Sequence, residues 1–234
     1  MTRKYLTIIF FNLGIKFNIE VRVRHFFKNQ NSDEIIVFFC GWGMDEKPFL
    51  PLKSESDILY IYDYNDLELN FDFSKYKKKT LVTYSCGVFM AYYLKDILPD
   101  FDLKVAINGT LKPFDEKFGV TKERSKIFEN ISKENYLYFR EKLLLQNKKE
   151  LTLFNKYQPK RSLESSLLEF ANLKKYAKNR KEEDFFYDKI LISEEDKIIP
   201  PDFQKKFWKK NYKTISGAHF PFYKFNSIEE MINC

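Results

Sequence analysis

The sequence is poor in the residues on which several protein classes depend. Its 234 residues include only 3 cysteines, 7 glycines, 8 prolines and 2 histidines. An odd cysteine count without paired spacing indicates neither a disulfide scaffold nor a zinc site, and the low glycine and proline content excludes fibrous repeats. No apolar run approaches the roughly 20 residues that a membrane-spanning helix needs. We therefore expect a reduced, cytoplasmic protein that requires no metal or other cofactor.

Aromatic residues are abundant, with 25 Phe, 15 Tyr and 2 Trp, and 44% of all residues are hydrophobic. This composition excludes a disordered chain or a coiled coil, because both are poor in aromatic residues. The length suits one domain with a substantial core and a small insertion. We interpret residues 1–20, with their apolar run at 6–11, as an N-terminal extension and assign them no function.

Short apolar and β-branched runs predict strands at 35–39, 58–62, 80–83, 103–107, 189–192 and 212–215. Three of these runs are continuously apolar, as expected for strands that are covered on both faces. The predicted fold class is therefore α/β with a mostly parallel sheet. Its core would comprise residues 21–120 and 188–234.

A basic helical block interrupts this series of strands. Between Lys122 and Lys181, sixteen basic residues stand against seven acidic ones, a net charge of +9 in a chain whose total is +7. Helical spacing predicts one helix through Ile127, Ile131, Tyr138 and the leucines at 143–145. We interpret residues 121–187 as an inserted helical lid. The charge indicates a solvated face or an acidic partner.

A second helix within the block is predicted from the apolar residues that recur between Leu163 and Ala177. Ser162 and Ser166 are both possible starts, the latter because Glu169 follows three residues later. Pro159 separates this helix from the first.

Residues 81–94 have the pattern of a strand, a sharp turn and a helix, with Ser85 at the turn. This is the pattern of a nucleophile elbow, which presents a serine hydroxyl at the end of a sheet. Thr83 replaces the first glycine of the usual Gly-x-Ser-x-Gly, whereas Gly87 provides the second. Because the pattern is common, Ser85 is a candidate nucleophile only if a base and an acid accompany it.

The general base must come from one of two histidines. His25 precedes every loop that follows a predicted strand, so we interpret it as structural or exposed. His219 follows the last strand, where a loop can bring its ring to the serine. Asp196 follows the 189–192 strand and is the candidate acid, with the two preceding glutamates as alternatives. The order Ser85, Asp196, His219 is that of α/β-hydrolases.

An oxyanion hole requires backbone N–H groups near the first core strand and directly after the nucleophile. Gly41 and Gly43 flank Trp42 just after the 35–39 strand and permit a tight turn. We expect the Trp42 and Cys86 amides to face each other across the serine. The alternative is a tight turn around a packed tryptophan. Cys40 and Cys86 are interpreted as small packed residues rather than reactive thiols.

Four segments together resemble the BioG family of pimeloyl-[acyl-carrier-protein] methyl ester esterases. They are FFCGWGMD at 38–45, YSCGV at 84–88, AINGT at 106–110 and GAHFP at 217–221. The resemblance extends from about residue 21 to the end of the chain, and the Gly-Trp-Gly-Met-Asp and Asn-Gly-Thr stretches are its specific parts. It implies an α/β-hydrolase core with an inserted helical lid. The implied reaction hydrolyses the methyl ester of pimeloyl-acyl-carrier-protein methyl ester in biotin biosynthesis, releasing methanol.

By this resemblance Ser85 would be the nucleophile, His219 the general base and Asp196 the acid that orients it. Trp42 and Cys86 would supply the oxyanion-hole amides. No metal or organic cofactor is implied.

The partner implied is an acyl carrier protein, which is acidic and therefore complements the basic block. Guanidinium groups bind carboxylates and phosphates through two hydrogen bonds at once. The candidate carrier contacts are therefore Arg124, Arg140, Arg161 and Arg180. We expect a monomer without nucleic-acid or membrane partners.

Two other functions remain open from the sequence. A different serine hydrolase would use the same residues on another acyl ester or thioester, because specificity depends on contacts within the lid. A noncatalytic RNA-binding module would use the basic block, although the block has no usual RNA-reading motif.

Overall fold

The computed structural model describes residues 24–179, 186–209 and 211–234. The predicted N-terminal extension at 1–20 and Arg180 both fall outside these residues. Within the described chain one seven-stranded sheet has the order β1-β3-β2-β4-β5-β6-β7. The strands are β1 (Arg24–Lys28), β2 (Glu34–Phe39), β3 (Asp57–Tyr62), β4 (Lys78–Tyr84), β5 (Leu103–Ile107), β6 (Lys189–Ser193) and β7 (Tyr212–Ile215).

All six strands predicted from the sequence are present, and the predicted α/β class with a mostly parallel sheet is confirmed. Strands β2 to β7 pair in parallel with their neighbours. Strand β1 is additional to the six and pairs antiparallel with β3 at the edge of the sheet, with His25 opposite Ile61. His25 therefore lies on the exposed edge strand, and both β3 and β2 lie between it and β4.

Helices cover both faces of the sheet. They are α1 (Cys86–Tyr93), α2 (Lys122–Glu129), α3 (Lys133–Phe139), α4 (Lys148–Lys156), α5 (Leu163–Lys178), α6 (Pro201–Trp208) and α7 (Ile228–Asn233). A π-helical turn, Arg140–Leu144, directly follows α3. Helices α2 to α5 lie between β5 and β6 in the chain, and we call them the inserted helices. In the described residues no helix is both long enough and apolar enough to cross a membrane.

Two apolar layers sandwich the sheet because successive side chains of a strand point to opposite faces. In β2, Val37 and Phe39 pack in the layer that contains α1, α5 and α6. Ile36 and Phe38 pack in the other layer, which contains α7. The second layer is rich in aromatic contacts; the Phe38 and Phe49 ring centroids, for example, are 4.6 Å apart. The abundant phenylalanine of the sequence is thus used largely in the core.

The prediction of one helix from Ile127 to the leucines at 143–145 is wrong. Helix α2 ends at Glu129, and α3 begins after Ser132, whose hydroxyl accepts a hydrogen bond from the Asn135 N–H. Asparagine and serine side chains compete for backbone hydrogen bonds and so favour helix ends. The break changes which residues face inward.

Ile127 and Tyr138, which the single-helix pattern places on the apolar face, are 58% and 61% exposed. Phe128 and Phe139, the residues that directly follow them, are buried instead. The inward face of α2 and α3 is therefore aromatic.

The second predicted helix is present as α5. Ser162 is its N-cap, since its hydroxyl accepts a hydrogen bond from the Ser165 N–H at 3.1 Å. The alternative start at Ser166 is wrong, because Ser166 lies inside the helix and its hydroxyl donates to the Ser162 carbonyl at 2.9 Å. Glu169 consequently forms no capping box, and its carboxylate is fully buried.

Candidate active site

The carboxyl ends of β2, β4, β5, β6 and β7 lie at the same edge of the sheet because these strands are parallel. From β2 the chain passes to β3 on one side, whereas β4 leads to β5 on the other. The loops after β2 and β4 therefore diverge and leave a crevice between them, the usual ligand site of open α/β sheets. Ser85 lies at this crevice.

Ser85 occupies a strained turn between β4 and α1. Its φ is +56° and its ψ is −123°, a conformation that costs energy for any residue other than glycine. In this turn the backbone packs very close to neighbouring carbonyl oxygens, so two positions beside it have room only for glycine. A Cβ on Gly87 would lie 2.4 Å from the Phe39 carbonyl oxygen, and a Cβ on Gly109 would lie 2.4 Å from the Ser85 carbonyl oxygen.

Thr83 is accommodated where the usual motif has glycine. Its side chain is buried and its hydroxyl donates a hydrogen bond to the Val105 carbonyl of β5 at 3.0 Å. Since the hydroxyl is satisfied within the sheet, the β-branched residue fits without an unpaired polar group.

The structure brings together the three residues proposed from the sequence as nucleophile, base and acid. The Nε2 atom of His219 lies 2.9 Å from the Ser85 Oγ, and its Nδ1 atom lies 2.8 Å from the Asp196 Oδ2. Ser85 is 8% exposed and His219 is 2% exposed. Hydrogen bonds of this length in a buried site can move a proton from the serine to the imidazole.

Asp196 is fixed as a hydrogen-bond acceptor by groups around it. Its Oδ1 accepts from the Ile198 and Ile199 N–H groups at 2.8 and 3.0 Å. Its Oδ2 accepts from the Gln204 amide at 2.8 Å, in addition to His219. Sequence reasoning did not find Gln204, because its approach to Asp196 depends on how α6 packs against the sheet.

Asn108 holds the main chain of His219. Its Nδ2 donates to the His219 carbonyl at 2.8 Å and to the Ser193 hydroxyl at 2.7 Å, and its Oδ1 accepts from the Ser193 N–H. Asn108 has a φ of +49°, a conformation that asparagine tolerates better than most residues. The Asn-Gly-Thr stretch noted in the sequence is therefore a junction between β5, β6 and the His219 loop.

Trp42 lies in a tight turn after β2, where Gly43 adopts a φ of +69°. The Trp42 indole donates to the Ser166 carbonyl of α5 at 2.6 Å. Burial raises the pKa of the Cys86 thiol to about 12. Trp42, Ser85 and Cys86 line one small cavity. Cys86 stays a neutral thiol at physiological pH, as does Cys40, whose pKa is also raised by burial.

Aromatic rings close the space above Ser85. The cavity there measures about 30 Å³, enough for a few water molecules at most. The Trp42 ring lies between 5.1 and 5.9 Å from the rings of Phe128, Phe139 and Phe170, measured between centroids. These three phenylalanines belong to α2, α3 and α5, so the inserted helices form the roof of the site.

Comparison with known proteins gives the family. The model of the pimeloyl-ACP methyl esterase BioG family matches residues 23–231. The chain belongs to this family. The crystal structure of selenomethionyl BioG from Haemophilus influenzae has a TM-score of 0.80 and 27% identity, covering 88% of this chain and 98% of that one. The resemblance recognised in the sequence is thereby confirmed.

A protein of Bacteroides fragilis (strain 638R), described as a malonyl-[acyl-carrier protein] O-methyltransferase, is 31% identical over 200 residues, which are 80% of this chain. The chain spans only 39% of that protein's length. An α/β-hydrolase fold protein from Burkholderia ambifaria is 10% identical, with a TM-score of 0.54 and coverage of 98% and 97%. This last likeness concerns the fold alone.

The four arginines proposed as carrier contacts in this BioG-family chain differ in where their side chains lie. The Arg161 side chain is 2% exposed and paired with Asp63 and Glu169, so its interpretation as a surface contact is wrong. Arg124 donates to the Lys197 and Ile198 carbonyls, both at 2.8 Å, from the surface of α2. The Arg140 side chain and Arg180 lie outside the described part of the chain.

Proposed function

We propose that the protein hydrolyses the methyl ester of pimeloyl-acyl-carrier-protein methyl ester, giving pimeloyl-acyl-carrier protein and methanol. The observation that carries the proposal is the hydrogen-bonded chain from Ser85 through His219 to Asp196, in a member of the BioG family. An ester hydrolase is the activity that the family and this geometry support. The particular substrate and the roles given below to single residues are our proposal.

In the first step the Ser85 oxygen attacks the ester carbonyl while His219 takes the serine proton at Nε2. Asp196 accepts the hydrogen bond from Nδ1, which fixes the tautomer and stabilises the imidazolium that forms. The four hydrogen bonds that Asp196 accepts hold its carboxylate in a fixed orientation. The imidazolium then protonates the departing methoxide, and methanol leaves.

The tetrahedral intermediate places a negative charge on the former carbonyl oxygen. The Trp42 and Cys86 amides are the proposed donors to it. Cys86 is the first residue of α1, and the N–H groups of a first helical turn have no partner within the helix. The positive end of the helix dipole adds to this stabilisation.

In the second step a water molecule attacks the acyl-enzyme. His219 accepts a proton from the water and returns it to the Ser85 oxygen, which releases the carboxylic acid. No metal or organic cofactor takes part in either step.

A wide depression beside the site supports a substrate that is carried by a larger, acidic partner. It measures about 840 Å³ and shares Phe114 and Val120 with the cavity at Ser85. Its charged lining comprises four lysines, Lys122, Lys126, Lys174 and Lys178, and three acidic residues, Asp115, Glu116 and Glu129, of which Glu129 is paired with Lys174. Lysine ammonium groups attract the phosphate of a carrier's prosthetic arm and the carboxylates of the carrier itself. Arg124 on α2 remains a proposed carrier contact.

The test is cleavage of pimeloyl-acyl-carrier-protein methyl ester, followed as the mass loss of one methylene from the carrier. We expect activity from the wild type, a loss of about a thousandfold or more in Ser85→Ala and His219→Ala, and wild-type activity in His25→Ala. The two histidine variants form a matched pair, since only His219 faces the serine.

Each alternative gives a distinct result. Cleavage of short free esters without cleavage of the carrier-linked ester would contradict the proposed substrate but support a serine hydrolase. Full activity of Ser85→Ala would contradict the nucleophile. Salt-dependent RNA binding by a protein inactive on every ester would favour the RNA-binding alternative.

A further inference from the structure

Helix α5 is bound to the Trp42 turn at two points. The Glu169 Oε2 accepts the Gly43 N–H at 2.9 Å, and the Ser166 carbonyl accepts the Trp42 indole N–H at 2.6 Å. The donors are on consecutive residues, and the acceptors lie one turn apart on the helix. The Trp42 side chain and the Gly43 N–H are thus both bound to α5. Together they restrict the main chain at Trp42, which carries the Trp42 N–H.

The same carboxylate also fixes the loop after β3. The Glu169 Oε1 accepts the Tyr64 N–H at 3.0 Å, and the Tyr64 hydroxyl donates to the Cys40 carbonyl at 2.6 Å. Cys40 immediately precedes the Gly41–Gly43 turn. Glu169 therefore holds this turn directly through Gly43 and indirectly through Tyr64.

Glu169 is fully buried, and its charge is compensated by Arg161. The Arg161 guanidinium lies 2.6 Å from the Glu169 Oε2 and 2.8 Å from the Asp63 Oδ1. Burial raises the pKa of Glu169, while Arg161 and the Gly43 and Tyr64 amides act to lower it. A buried carboxylate is expensive unless its oxygens are fully hydrogen-bonded. Here a cation and two amides of the site loops supply those bonds.

We propose that Glu169 is a positioning residue that sets the Trp42 amide for the oxyanion. This inference rests on the proposed serine mechanism, in which that amide is a donor. Oxyanion donors contribute to catalysis only when they already point to where the charge develops. Glu169 touches neither substrate nor the reacting atoms, so it acts through Gly43. Arg161 serves it by neutralising the buried charge.

The decisive variant is Glu169→Gln, because glutamine keeps the size of the side chain but has one acceptor oxygen instead of two. The control is Asp63→Asn, which weakens the same ion-pair network at Arg161 but leaves Glu169, the acceptor of the Gly43 and Tyr64 N–H groups, unchanged. Both variants should lower the thermal midpoint. Only Glu169→Gln should disturb the turn.

The readouts separate positioning from stability. We measure kcat and KM with a short free ester well below the unfolding temperature, and inhibition by a trifluoromethyl ketone that forms a tetrahedral adduct with the serine. Glu169→Gln should lower kcat roughly tenfold to a hundredfold with KM changed less than about twofold. The affinity for the ketone should fall by the same factor. Asp63→Asn should keep both within about twofold of the wild type.

Equal kcat losses in the two variants, or a kcat loss without weaker ketone inhibition, would overturn the inference. The wild-type result is judged separately. Short-ester activity without carrier-ester cleavage removes the proposed substrate but leaves this comparison intact. A wild type that neither hydrolyses esters nor reacts with a fluorophosphonate at Ser85 would overturn the mechanism on which the inference rests.

Discussion

At the scale of single residues, the site is built from short polar contacts around groups that carry charge during the reaction. Asp196 illustrates this, because its carboxylate accepts two backbone N–H groups, one amide side chain and the His219 ring. Hydrogen bonds to a charged group contribute about 1.5–3 kcal/mol each. Gln204 therefore supports the orientation of Asp196 and, through it, that of the imidazole.

Replacing Gln204 with leucine should lower kcat about three- to tenfold, because the Asp196 Oδ2 then has His219 as its single side-chain donor and both groups gain freedom. KM should change little, since Gln204 does not reach the cavity at Ser85. Steady-state kinetics of Gln204→Leu against Lys206→Gln, an exposed position on the same helix, measure the difference. An unchanged kcat would mean that the backbone amides alone orient Asp196.

At the scale of secondary-structure elements, the inserted helices differ in how they are attached. Helix α5 is anchored to the core by the buried ion pairs of Arg161 and by the Trp42 indole. Helices α2 and α3 cover the site mainly with the rings of Phe128 and Phe139. A cavity of about 30 Å³ is smaller than an acyl chain, so we expect these two helices to move if the proposed substrate enters. The π-helical turn after α3 suits a hinge.

Tethering α2 to α5 should therefore block turnover. The pair Glu129 and Lys174, which form a salt bridge between the two helices, can be replaced with cysteines and linked by a short bismaleimide in a Cys234→Ser background. Ester hydrolysis should fall at least about tenfold in the linked protein, because opening precedes binding. The same double variant capped with N-ethylmaleimide is the control. Equal rates in linked and capped protein would contradict movement of α2.

The elements themselves show what the sequence predicts and what it does not. Strands and the residues just after them are predictable, because apolar runs define a parallel sheet whose carboxyl ends meet. Ser85, Asp196 and His219 follow from that rule. Glu169 and Gln204 do not, since a helical carboxylate or amide gives no signal until packing brings it to a loop. The boundary of α2 was missed because its apolar periodicity continues past the polar residues that end it.

At the scale of the whole molecule, charge is distributed unevenly. The block between Lys122 and Lys181 has a net charge of +9, whereas the whole chain has a net charge of +7. The rest of the chain is therefore slightly acidic. Such an asymmetry would attract an acidic partner to the inserted helices. Because Arg161 is buried and paired with Asp63 and Glu169, we expect any such attraction to come from other basic residues, among them the exposed lysines and Arg124.

Salt should consequently slow the reaction of a carrier-linked ester and spare that of a free one. Between about 0.05 and 0.5 M NaCl we expect kcat/KM for the carrier-linked ester to fall roughly tenfold, mostly through KM. A short uncharged ester should change less than about twofold. Lys122→Glu with Lys126→Glu should flatten the salt dependence. Equal salt effects on both substrates would argue against electrostatic docking.

The order of the strands also has a consequence for how the protein acquires activity during its synthesis. Ser85 and His219 are 134 positions apart, and the base arrives with β7, which completes the far edge of the sheet. A ribosome-bound chain that has emerged only as far as β5 contains Ser85 but neither Asp196 nor His219. Competence is conferred by the final few dozen residues, and a nascent chain stalled before β6 should hydrolyse nothing.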